Sequence, residues 1–327
     1  MIAELLPDVT ITRDVRITPV ETFAAVEEPG ADPLVGVTDE VLIPAGGDVM
    51  VYGDGGAGKT TLMNDLALHL AGPRDWLGFQ IPRAVNVLVV ENEGPRPLLR
   101  RKLARKLAGW PGPPPEDRLT VLEAPWAVFT FATAEWQAAL ATAVGEHEID
   151  VLIAGPLTRI GMTGAGTLQE VNEFMAFIDA VRQQCGRQLT VILVHHENKG
   201  GTVSGAWEGS GDTLLHVEAR GNGFTHLHIQ KARWSSQAHG TSLDLAWTDG
   251  ESFRIKESRD LLAEIEELLS DGAWRTVNEI VVAVGAGKAS VRQVFNEHGD
   301  RFAVATGEDA RSLGRSPRAK LYRLASA

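Results

Sequence analysis

Cysteine is almost absent from this 327-residue chain, with Cys185 standing alone. A single thiol excludes an internal disulfide framework, and no Cys/His cluster has zinc-ligand spacing. Long apolar runs are also missing. No stretch approaches the length of a membrane span, and the N-terminus lacks a basic segment followed by an apolar one. The expected setting is therefore reducing and cytoplasmic, with no membrane partner. Positive charge is in short supply as well. The net charge of −12 argues against a protein that coats nucleic acid as a monomer. The deficit is uneven, because residues 1–40 alone carry −7 of it. A basic channel or patch elsewhere remains compatible with the total. The length suits a sizeable core and two domains.

The most specific pattern present is Gly53-Asp54-Gly55-Gly56-Ala57-Gly58-Lys59-Thr60, which fits the phosphate-binding loop G-x-x-x-x-G-K-[ST] at every fixed position. Its flanks agree. Asp48–Tyr52 reads as a buried strand, and Leu62, Met63, Leu66, Ala67 and Leu70 recur at helical spacing until Gly72-Pro73. A strand, a glycine turn and a helix start aim bare backbone N–H groups and a helix N-terminus at an anion. The implied ligands are ATP and Mg²⁺. Gly53 to Thr60, with Thr61 just inside the helix, would cradle the phosphates. Lys59 would reach the β/γ-phosphates, and the Thr60 hydroxyl would serve the metal.

Strands and helices then alternate. Val85–Val90, Leu119–Leu122, Val151–Ala154 and Leu189–Val194 read as buried parallel strands. Between the first two lies a basic helix over roughly 97–108, with Leu98, Leu99, Leu103 and Leu107 as its buried face. Thr167–Glu170 has capping-box spacing. From 214 the pattern changes to antiparallel, with a hairpin signal at Gly221-Asn222-Gly223 and short strands near 242–247 and 252–256. Residues 1–40 form an acidic lead with β-like pieces such as Val9–Thr12. Residues 258–327 outline a winged helix-turn-helix. It has a capping box at Thr276–Glu279, candidate wing strands at Phe302–Thr306 and Lys320–Leu324, and a late basic run of Arg311, Arg315, Arg318, Lys320 and Arg323. Its partner is either duplex DNA, through a wing lying on phosphates, or another protein.

Catalysis needs more than a phosphate cradle, and the remaining groups belong at the strand ends of one sheet edge. Three constellations follow the loop in order: Glu91-Asn92-Glu93, His195-His196 and Lys231-Ala232-Arg233. With the phosphate loop they resemble RecA-like ATPases, in particular the RepA-type hexameric replicative helicases of plasmids and mobile elements. The resemblance covers roughly residues 40–257 and implies an α/β ATPase domain over 41–257 with a mainly parallel sheet and an antiparallel extension. It implies Glu93 as the base that activates water, with Glu91 assisting Thr60 at Mg²⁺. It implies His196 as the γ-phosphate sensor, beside a structural His195. It implies Arg233 as an arginine finger, and Lys231 as its companion, reaching into the neighbouring subunit of a hexameric ring. The loops 161–166 and 198–212 would line a channel for single-stranded DNA, with Arg159, Lys199 and Trp207 as contacts. One position departs from the family. Gly155 stands where an Asp normally ends the strand and holds Mg²⁺. This departure keeps a second reading open: a nucleotide-gated DNA-binding regulator or initiator with weak ATPase activity.

Overall fold

The computed structural model describes residues 17–27, 32–111, 115–164, 166–198, 200–221, 223–247, 252–256 and 261–325. The β-like stretch expected at 9–12 lies outside them, as does Lys199. The chain divides into two compact units, one running to Lys256 and one following it.

The first unit opens with a short helix, α1 (Val20–Ala24), and an antiparallel pair, β1 (Pro33–Val37) and β2 (Glu40–Pro44). Leu34, Val35, Leu42 and Ile43 of this pair are buried in the main core. The end of the presumed acidic lead is therefore part of the core, and a boundary at residue 40 would cut a hairpin. The chain continues through β3 (Asp48–Gly53), α2 (Lys59–Ala71), β4 (Val87–Glu91), α3 (Arg96–Ala108), β5 (Leu119–Val121) and α4 (Ala134–Glu146). After these come β6 (Val151–Gly155), α5 (Leu168–Cys185), β7 (Thr190–His196), α6 (Gly205–Ser210), β8 (Thr213–Gly221), β9 (Phe224–Ala232), β10 (Ser242–Trp247) and β11 (Phe253–Ile255).

These strands build one nine-stranded sheet in the order β11-β10-β9-β8-β3-β7-β6-β4-β5. The run from β8 to β5 is parallel. The antiparallel part starts at β9, one strand later than the residue pattern indicates, because β8 lies parallel to β3. The fold is thus α/β, with a parallel core and an antiparallel extension. Alternation along β3 sends Val49 and Val51 to the face covered by α2 and the β1–β2 pair. Met50 and Tyr52 go to the face covered by α4 and α5. The capping box of α5 is present, with Thr167 accepting from the Glu170 N–H.

Helix α3 buries a different stripe from the one its leucines mark. Leu99 is buried, but Leu98 and Leu107 are 47% and 46% exposed, and Lys106 is only 4% exposed. The inward stripe, buried Leu99 and Lys106 with half-buried Leu103 between them, follows i, i+4, i+7 spacing. Lys106 is admitted because Asp65 of α2 accepts its ammonium at 2.9 Å. The same carboxylate accepts the Trp76 indole N–H at 3.1 Å.

The second unit contains α7 (Leu261–Leu269), β12 (Arg275–Thr276), α8 (Val277–Val284), α9 (Lys288–Glu297), β13 (Phe302–Ala305), α10 (Gly307–Ser312) and β14 (Leu321–Leu324). Its antiparallel sheet has the order β12-β14-β13. Ile265, Leu269, Ile280, Val291, Phe295, Phe302 and Tyr322 form its core. The Thr276–Glu279 capping box opens α8, and Gly285 ends it in the left-handed region. The late basic run is largely engaged within the unit. Arg311 pairs with Glu308 and Arg315 with Glu279, Lys320 lies over the Tyr322 ring, and Arg323 lies over Trp274. Among the described residues, no helix is long and apolar enough to cross a membrane.

Candidate functional site

The site grows from the C-terminal end of β3. Gly53 leaves the strand at φ +154°, and a Cβ there would sit 2.0 Å from the Val217 carbonyl oxygen, so only glycine lets β3 and β8 close. Gly56 and Gly58 take positive φ, and a Cβ at Gly56 would meet nothing within 4 Å. Gly58 caps α2 in the left-handed conformation with no side chain on the helix N-terminus. The first N–H groups of α2, at Lys59, Thr60 and Thr61, lack intrahelical partners and face outward for an anion. Lys59 folds back over the loop, donating from Nζ to the carbonyls of Gly53 and Asp54 at 2.8 Å each. Burial lowers its pKa, against the pull of Glu197, Asp54 and Glu93.

Two cavities flank this loop. One, of about 440 Å³, is lined by Gly56, Gly58, Thr61, Arg105, Phe224 and Trp247 among others. The other, of about 220 Å³, is lined by Thr60, Glu91, Glu93, Gly94, Leu99 and Lys102. An exposed loop of bare amides, two cavities and a hydroxyl beside two carboxylates fit a nucleoside triphosphate and Mg²⁺. Among the described residues no three His, Cys, Asp or Glu side chains cluster closely enough to hold a metal by themselves. Mg²⁺ bound with a nucleotide takes one or two protein ligands and completes its shell with phosphates and water. Thr60 and Glu91 are the residues that would hold it.

The strand end of β4 is pinned from three sides. The Asn92 N–H donates to the Gly155 carbonyl at 3.0 Å, and its side-chain amide donates to the carbonyls of Phe129 and Arg159 at 2.6 and 3.0 Å. This turn presents Glu91 inward and Glu93 outward. Burial pushes the Glu91 carboxyl up to about 7, while the Glu93 N–H that it accepts at 2.9 Å holds it down in part. Glu93 is half exposed, and its Oε2 lies 3.9 Å from His196 Nε2. His196 therefore faces the loop side of the sheet. His195 points to the other face, where burial drives its pKa down to about 4 and its Nδ1 has no partner among the described residues.

Gly155 lies beside Glu91 in the β4–β6 register. A Cβ at Gly155 would come within 2.6 Å of the Val194 Cβ and 3.0 Å of its carbonyl oxygen. The acid expected at this strand end has no room here.

Lys231 and Arg233 lie elsewhere. Because β9 runs antiparallel, Ala232 pairs with Thr213, and Thr213 pairs with Val49 near the start of β3. That edge is about 13 Å of strand away from the phosphate loop. There the Lys231 Nζ donates to the Glu208 carbonyl at 2.6 Å, and Arg233 pairs with Asp212 at 3.1 Å. The channel loops also differ from expectation. Residues 205–210 form α6, and Trp207 is 2% exposed in the core, so its ring is closed to base stacking. Arg159 is exposed.

Residue pattern alone misses three contributors. Glu197 is near Lys59 and takes a 2.8 Å contact from His216. Asn92 pins the turn, and Lys102 lines the metal-side cavity. Only Asn92 had a signal, its place between two site acids.

A parallel sheet whose central strand passes through a glycine loop into a helix, with a lysine folded on that loop and carboxylates at the next strand end, defines a P-loop ATPase. A family model described as an AAA domain matches residues 21–202, and the chain belongs to that family. No curated protein matches the chain.

Proposed function

We propose that this chain hydrolyses ATP as a subunit of a cytoplasmic ring, probing single-stranded DNA through the ring's channel, in the manner of a replicative helicase of a plasmid, phage or mobile element. The reading rests on one observation: Lys59, Thr60, Glu91, Glu93 and His196 gather at one sheet edge, while Lys231 and Arg233 stand at the other. Cations so placed are useless to their own phosphate loop and suit a neighbour's. Within one subunit, the Lys59 ammonium and the amides of α2 would bind and orient the phosphates. Glu93 would hold the attacking water and take its proton, and His196 beside it would register the terminal phosphate. Mg²⁺, when bound, offsets charge on the phosphate oxygens. Arg233 of one subunit would then neutralise charge developing in the next.

A second reading, the nucleotide-gated regulator or initiator, draws support from the second unit. Its helices and three-stranded sheet suit a winged helix. The helix α9 exposes Lys288, Arg292, Gln293 and Asn296, side-chain types that read base edges in a major groove.

The test is ATP hydrolysis by the full chain with and without single-stranded DNA at matched salt. The motor reading expects several-fold stimulation, abolished in Lys59→Ala. Binding of ATP with negligible turnover in both conditions would transfer the case to the regulator.

A further inference from the structure

Helix α3 overhangs the phosphate loop, and one of its residues borders both cavities. Lys102 lines the larger one with Gly56, Gly58 and Thr61, and the smaller one with Thr60, Glu91 and Glu93. Its helical neighbours divide accordingly. Leu98 and Leu99, a turn earlier, line only the smaller cavity, and Arg105, a turn later, lines only the larger. Lys102 thus stands where the two cavities meet, beside the loop that cradles phosphates.

Three other bases of α3 are committed elsewhere, and Arg105 borders only the larger cavity. Arg96 and Arg100 lie against Glu123, and Lys106 is buried on Asp65. On the loop itself Lys59 has three acids in its field, namely Glu197, Asp54 and Glu93. Phosphates would add further negative charge, and Lys231 and Arg233 of the same chain are an entire strand length away. We propose that Lys102 supplies a second cation, from the chain's own α3, to the terminal phosphate of the bound nucleoside triphosphate. The inference rests on the ATP-site reading above. Lys102 is exposed, so its removal opens no hole in the core.

The experiment measures equilibrium binding of a non-hydrolysable ATP analogue and of ADP, both with Mg²⁺, to the full chain. Lys102→Ala should weaken the analogue by about tenfold or more while changing ADP affinity less than about threefold, the effect of losing one charged contact to the terminal phosphate. Lys102→Arg should keep most of the preference. Arg101→Ala removes the same charge from the same helix at an exposed position bordering neither cavity, and should leave the ratio unchanged. Equal weakening of both nucleotides by Lys102→Ala, or an identical change in Arg101→Ala, would overturn the assignment. A failure of the underlying reading looks different: wild type would bind neither nucleotide, or Lys59→Ala would bind both unchanged.

Discussion

Glu91 and Gly155 face each other across neighbouring parallel strands, one a half-buried acid and the other with no side chain at all. The two positions are complementary. The strand end at which the resemblance to RecA-like ATPases sets an acid is blocked here by Val194, and Glu91 lies one strand over.

Restoring the expected residue should therefore fail. Gly155→Asp would drive a Cβ into Val194 and add a carboxylate next to Glu91. Overpacking of this kind costs about 1–3 kcal/mol. The expected outcome is a lower thermal midpoint and no gain in ATP turnover. A variant as stable as wild type with faster turnover would show that Val194 yields and that the site lacks only its acid.

Glu91 should give stability a pH dependence of definite sign. Its carboxyl is raised to about 7 by burial, so the folded state holds its proton more tightly than the unfolded chain does. Its contribution is fully present below the ordinary carboxylate range and is lost as pH rises through about 7. Glu91→Gln removes that loss. Relative to wild type, the variant should gain on the order of 2–3 kcal/mol between pH 5 and pH 8. Urea midpoints at the two pH values measure it, and a constant difference between the proteins would contradict the assignment.

The contrast between these residues and the phosphate loop shows what the sequence can carry. The loop, its flanking strand and helix, and the capping boxes at Thr167 and Thr276 are local patterns in which every partner lies within a few residues. They are readable for that reason. The absence at Gly155 was visible too, but its cause, Val194, belongs to another strand. Lys106 reads as a solvent-facing base because its partner Asp65 is on a different helix. Trp207 sits in a glycine-rich stretch that resembles an open loop, yet α6 turns its ring into the core. Lys102 was one base among several until the fold set α3 over the loop.

The Lys106–Asp65 pair makes a third prediction. Both side chains are nearly inaccessible, and each neutralises the other. Lys106→Ala leaves a buried carboxylate with the Trp76 indole N–H as its described hydrogen-bond donor and the His69 ring 3.9 Å away. The expected loss is about 3–5 kcal/mol. Combining Lys106→Met with Asp65→Leu removes both charges while keeping volume, and should recover a large part of it. Chemical unfolding of the single and double variants decides. A double variant no better than the single would mean that the packing of α3, not the unpaired charge, carries the loss.

The separation of Arg233 from its own phosphate loop yields the most decisive test. If Arg233 serves a neighbouring subunit, Arg233→Ala should lower turnover roughly 10³-fold while leaving nucleotide binding in place. Lys59→Ala should be inactive for a different reason, the loss of phosphate contact in its own loop. Mixed in equal amounts, the two inactive proteins should complement. At some interfaces an intact loop from the Arg233→Ala chain would meet an intact arginine from the Lys59→Ala chain. With random assembly about a quarter of interfaces are restored, and turnover should rise to that share of wild type. Activity per chain in wild type should also fall on dilution as neighbours separate. A mixture as inactive as its components, together with turnover independent of concentration, would mean that Arg233 acts through its Asp212 pair within one chain, and the ring would lose its main structural support.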